Sequence, residues 1–72
     1  MTKVAVVFAD GFEEIEALSP VDVFRRAGFD CNMLGLENAS VTGSHGIQVA
    51  MDGVFDGNFD EYDLVVLPGG MP

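Results

Sequence analysis

Tryptophan is absent, cysteine occurs once, and only 3 of the 72 side chains are lysine or arginine. Each shortage excludes something. A single cysteine, Cys31, cannot build a disulfide framework, and no Cys/His spacing suggests a zinc or other metal site. Three bases against 12 acids give a net charge of −9, which leaves little to attract a phosphate backbone and argues against nucleic acid as a partner. The longest unbroken apolar run, Val4 to Ala9, is too short to span a bilayer, so no membrane partner is expected. No basic, apolar, small-residue leader is readable, and a cytoplasmic location is the expectation. The apolar fraction, 49%, is too high for a disordered acidic tail. What remains is globular and short: a chain of this size can bury only ~60% of its unfolded surface.

Read in order, the chain opens with Lys3 to Phe8, apolar at both parities, which predicts a strand covered on both faces as in parallel sheets. Asp10-Gly11 punctuates it. From Phe12 to Ala27 the period is helical, with Ile15, Leu18, Val21 and Phe24 spaced by three and Glu13 and Glu14 at the positive end of the helix dipole. Pro20 has no N–H for the carbonyl of Glu16, and Ser19-Pro20-Val21-Asp22 itself reads as a helix start, so a kink is predicted there. Gly28 supplies the stop. Phe29 to Leu34 is a second strand, Val41 to Asp52 a small hairpin with one wet face, Asp56 to Tyr62 a polar connector, and Leu64 to Leu67 another doubly buried strand ending at Pro68-Gly69-Gly70.

Strand, helix, strand and a later buried strand predict an α/β open parallel sheet, doubly wound and sandwiched by helices. One convincing helix cannot cover both faces of such a sheet. Either another chain supplies the missing layer or, the reading favoured here, residues 1–72 are the N-terminal portion of a larger single domain, whose remainder is a partner of this chain.

Ligands of open α/β sheets bind beyond the carboxyl ends of the strands, where crossovers diverge. With the first strand central, that crevice falls between the ends of Val4–Ala9 and Leu64–Leu67. An acidic cluster (Asp10, Glu13, Glu14, Glu16) and the Pro-Gly-Gly turn stand at those two ends. Gly69 and Gly70 can present successive N–H groups as an oxyanion site, or simply make a tight turn. Glu16 is the candidate acid or base, expected to be partly buried because Ile15 and Leu18 flank it. Glu13 and Glu14 read as solvated helix-start acids. Cys31 reads as a small buried hydrophobe, His45 as a hairpin-turn residue, and Asp56, Asp60, Glu61 and Asp63 as a solvated face.

Three segments carry a resemblance: Lys3 to Ala17 with its Glu-Glu-x-Glu, Pro20 to Gly28, and Tyr62 to Gly70 with its Leu-Pro-Gly-Gly. Together they resemble the ThiJ/PfpI superfamily over nearly the whole chain. The resemblance implies a flavodoxin-like domain about two and a half times longer than this chain. It also implies a homodimer and a nucleophilic cysteine on a sharp strand-to-helix turn. In that likeness Glu16 matches the glutamate that contacts the thiol. Gly69 and Gly70 match the turn whose amides face the sulfur, Arg26 an arginine towards the subunit interface, and His45 a position where some relatives bind anions through arginine. The nucleophile's Ala-x-Cys-Ala segment and the family histidine lie downstream, and Cys31 and His45 are not their counterparts.

The implied chemistry is glyoxalase III-like or deglycase-like, on a small carbonyl substrate, with no cofactor. The chain by itself is expected to be inactive. Alternatives are a redox sensor or chaperone-like member, or a relative labelled as an intracellular protease or a thiazole-biosynthesis protein. A phosphoacceptor receiver domain of similar topology would need an aspartate where Pro68-Gly69-Gly70 stands.

Overall fold

The computed structural model describes residues 2–68. Its elements run β1 (Lys3–Phe8), α1 (Glu14–Arg26), β2 (Asp30–Gly35), β3 (Ser40–Thr42), β4 (Gln48–Ala50), β5 (Gly53–Val54) and β6 (Leu64–Val66). Four strands form one parallel sheet in the order β5-β2-β1-β6. The central first strand follows from its composition: Val4, Val6 and Phe8 face one way, Ala5 the other, and all four are fully buried. Val4, Val6 and Phe8 pack with Ala17 and Val21 of α1 and with Cys31 of β2. Phe12 closes this core at the carboxyl end, its ring edge-on to Phe8 at 4.9 Å.

The hairpin is present, with β3 and β4 antiparallel and Val41 opposite Val49. The short β5, absent from the sequence reading, pairs with the end of β2 through Leu34↔Gly53. Two anchors hold the outer strands. Asp63 accepts from Lys3 N–H at 2.8 Å and returns its own N–H to the Lys3 carbonyl, starting the β1–β6 ladder. Asp52 takes the Met33 N–H at 2.7 Å and starts β5.

The helix departs from expectation in two ways. It is one continuous 13-residue helix through Pro20, capped by Glu13 rather than Ser19. Glu16, whose carbonyl loses its donor to Pro20, is exposed, so water can replace the missing bond. Ala17 and Val21, before and after Pro20, are both buried in the core and pack the two halves of the helix against the sheet. The end is as predicted: Gly28 has φ +87°, its N–H reaches the Arg25 carbonyl, and the Phe29 N–H reaches Phe24. Phe24 and Phe29 stack at 5.8 Å, the apolar contact that accompanies such a C-terminus.

The second correction concerns β6. It is half-exposed rather than doubly buried, and Leu67 beyond it is 73% exposed. Beside β1 it is an edge strand among the described residues, and no second helix lies on it. Among the described residues no helix is long and apolar enough to cross a membrane.

Candidate functional site at the start of the helix

The turn from β1 into α1 is bolted to the tip of the β3–β4 hairpin. Gly11 N–H donates to the Thr42 carbonyl and Ser44 N–H to the Phe12 carbonyl, each at 2.8 Å. Asp10 Oδ1 accepts from Thr42 N–H at 3.0 Å. The central member of this junction is Glu14. Only 5% exposed, it is the one buried charged residue among those described. Its Oε2 accepts from His45 N–H at 2.8 Å and, more loosely, from Ile47 N–H at 3.4 Å. Its Oε1 faces His45 Nδ1 at 2.8 Å and Ser44 Oγ at 3.4 Å. Assigning the proton to Nδ1 makes the imidazole the donor.

Burial alone pushes the Glu14 carboxyl upward. The His45 side chain and the backbone N–H groups of Glu14, His45 and Ile47 outweigh it, holding the carboxyl at about 2. The same contact raises the imidazole of His45 above its ordinary value, through the hydrogen bond first and then the charges of Glu14 and Glu13. Gly43 makes the approach possible: it is buried, and a Cβ there would sit 2.8 Å from Glu14 Cγ and closer still to the carboxylate.

Glu14, not Glu16, is therefore the buried glutamate, and the solvated reading of Glu14 is corrected. The helix begins at Glu14, so Glu14, Ala17 and Val21 fall on the inner face while Ile15 turns outward at 75% exposure. Glu16 stands on the exposed side of the first turn, and its expected partial burial is not found among the described residues. No local signal singled out Glu14, because the groups that hold it belong to Ser44, His45 and Ile47, about thirty residues along the chain. Gly69 and Gly70 lie outside the described residues.

Cys31 is 4% exposed at the start of β2, opposite Val4, with its thiol raised by burial; Arg25 lowers it and Asp52 and Asp30 raise it. Arg26 pairs with Asp22 at 2.9 Å on the exposed face of α1. Glu13, Glu14 and His45 bring cation-ligating atoms within 4.8 Å of one another. Beyond the carboxyl ends of β1 and β2 lies a cavity of about 160 Å³ bordered by Phe8, Asp10, Glu37 and Asn38. A larger one, about 270 Å³, lies between Asn32, Val54 and Tyr62.

Crossovers leave β1 towards β2 on one side and reach β6 on the other, so the switch point lies between β1 and β6. This arrangement defines an α/β protein of flavodoxin-like type. The model of the DJ-1/PfpI family matches residues 2–72, and the chain belongs to that family, the ThiJ/PfpI group of the sequence resemblance. An uncharacterised protein of Staphylococcus epidermidis is 40% identical over 70 residues, covering 94% of this chain and 41% of that protein. One from Staphylococcus aureus is 39% identical over the same length and coverage. Among solved structures, oxidised Toxoplasma gondii DJ-1 superposes with a TM-score of 0.92 at 39% identity, over 100% of this chain and 40% of that one. Drosophila melanogaster DJ-1beta gives 0.89 at 36% identity, over 97% and 39%. The chain thus spans about two fifths of the length of the curated relatives it matches.

Proposed function

We propose that this chain supplies the acid–base glutamate and the oxyanion turn of a cysteine-dependent site acting on small carbonyl compounds or glycated groups. The nucleophile and its histidine come from the remainder of the same domain, and the protein works as a cytoplasmic homodimer without a cofactor. One observation carries the reading. β1 and β6 are adjacent and parallel, with Val6 opposite Val66. The turn leading to Glu16 and the chain leading to Gly69 and Gly70 therefore leave the same edge of the sheet.

In this reading a thiolate adds to the carbonyl carbon, forming the C–S bond as the π pair moves onto oxygen. Gly70 N–H, with Gly69 N–H, stabilises that oxyanion, and the Glu16 carboxyl delivers the proton that makes it a hydroxyl. Cys31 does not suit the nucleophile's part. Its thiol is buried and raised, and it pairs with Val4 at the opposite end of the strands.

The test is methylglyoxal consumption by the full-length protein. Glu16→Gln is expected to lower kcat by ~10²–10⁴-fold. Because Glu16 is exposed, the substitution should change stability by less than about 0.5 kcal/mol. Undiminished turnover in the variant rejects the role. The isolated 72-residue chain should show none. The second reading is a redox sensor, favoured by the oxidised state in which the Toxoplasma relative is described. Under it, Glu16→Gln alters peroxide sensitivity and leaves any turnover unchanged.

A further inference from the structure

Glu14 lies two residues before Glu16 and takes no part in the chemistry proposed above, yet it is the most constrained side chain of the junction. Four groups of the 44–47 segment converge on its carboxylate: Ser44 Oγ, His45 N–H, His45 Nδ1 and Ile47 N–H. Three further bonds tie residues 10–12 to Thr42 and Ser44. Glu13 caps the helix without a side-chain hydrogen bond, so beside the buried Phe12 and Ala17 the polar hold on the first turn of α1 comes from the hairpin. The hairpin is thus the support for that turn.

We infer that Glu14 is the positioning residue for Glu16, and that His45 makes its grip responsive to protons. The inference rests on the proposed role of Glu16, which it deepens by naming how that group is held and regulated. An Nδ1–H bonded to a carboxylate is stronger when the imidazole is charged. Loss of the proton on the far nitrogen weakens that contact and loosens the 43–47 turn against Glu14, while the backbone bonds from His45 and Ile47 remain. His45 is 69% exposed at its side chain, so solvent protons reach it freely. The charged groups about the pair are Glu13 on the same turn, which favours the charged imidazole, and Asp10, whose carboxylate is held by Thr42 N–H. A misplaced acid–base group is costly to a reaction that depends on near-attack geometry.

The experiment uses the full-length protein, with Glu14→Gln and the solvent-side variant His45→Gln. Amide hydrogen exchange is followed at residues 11–17 and 43–47 between pH 5 and 9, and kcat and KM for methylglyoxal over the same range. Protection of the two segments is expected to fall together above the His45 titration in the wild type. In His45→Gln it should no longer change with pH, and in Glu14→Gln it should be lost throughout. The activity arm expects kcat to drop ~10- to 100-fold in Glu14→Gln with KM nearly unchanged. It also expects the alkaline limb of the kcat profile to disappear in His45→Gln. Wild-type protection in Glu14→Gln, or an unaltered alkaline limb in His45→Gln, overturns the inference. If the wild type does not consume methylglyoxal, the reading of Glu16 fails separately, and the exchange arm still decides whether the grip exists.

Discussion

Arg25 on the last turn of α1 reaches across to Asp52 at 2.7 Å, and the same guanidinium holds the carbonyl of Cys31 through Nε and Nη2 at 3.1 and 3.0 Å. One side chain thereby fastens the helix to β2 and to the entry of β5. Asp52 is already engaged by the Met33 N–H, so the two residues act as a unit. Both are partly exposed, so solvent screening limits the ion pair itself. Arg25→Ala is expected to cost ~1 kcal/mol, mainly through the hydrogen bonds to Cys31, and the loss is read from urea unfolding of the full-length protein. Asp52→Asn in the Arg25→Ala background should cost less than it does alone.

Gly43 is where the hairpin touches Glu14 without room for a methyl group. Gly43→Ala forces the Glu14 carboxylate or the 43–47 turn to move, since the added carbon meets Cγ at 2.8 Å and the carboxylate closer still. A loss of ~1–3 kcal/mol is expected from the shift in the urea midpoint. Gly46, at φ +80° with nothing within 4 Å of an added carbon, should suffer from backbone strain alone. The two alanine variants therefore separate crowding from conformation.

The Glu14–His45 contact gives stability a defined pH window. The carboxyl of Glu14 lies at about 2 in the folded protein against 4.5 when free, so its contribution is complete above 4.5 and fades as pH falls towards 2. His45 is raised above 6.5, so its contribution is complete below 6.5 and fades as pH rises through the raised value. The Tm difference between wild type and Glu14→Gln should be widest from pH 4.5 to 6.5 and shrink on both sides. A difference that grows from pH 7 to 9 contradicts the assigned partners.

Cys31 should be silent to thiol reagents at neutral pH in the folded protein. Its thiol is buried and held in the protonated form. Mass mapping after iodoacetamide treatment is expected to find it unmodified until denaturant is added. Cys31→Ala should keep full turnover at a cost of about 1 kcal/mol for the lost packing. Loss of activity in that variant would make Cys31 the nucleophile and end the proposed division of labour.

The strands were legible because composition and cover are linked: Val4, Val6 and Phe8 lie against the helix while Ala5 faces the opposite way, and only a central parallel strand needs both faces apolar. The stop at Gly28 was legible for the same local reason, since few other residues tolerate its left-handed backbone. Glu13, Glu14 and Glu16 were not separable by any local rule. All three suit the start of a helix, and a spacing of three could count Ile15 as readily as Ala17 into the buried stripe. The tiny β5 escaped because two residues carry no period.

By itself the sequence determined the parallel architecture and the order of the main elements, because these follow from hydrophobic periodicity and from backbone needs that act over a few residues. Only the tertiary structure decided which glutamate is buried, where the helix begins and that it continues through Pro20. Those outcomes depend on contacts between segments about thirty residues apart in the chain, such as Glu14 with His45, and a long-range carboxylate–hairpin contact leaves no period in the sequence.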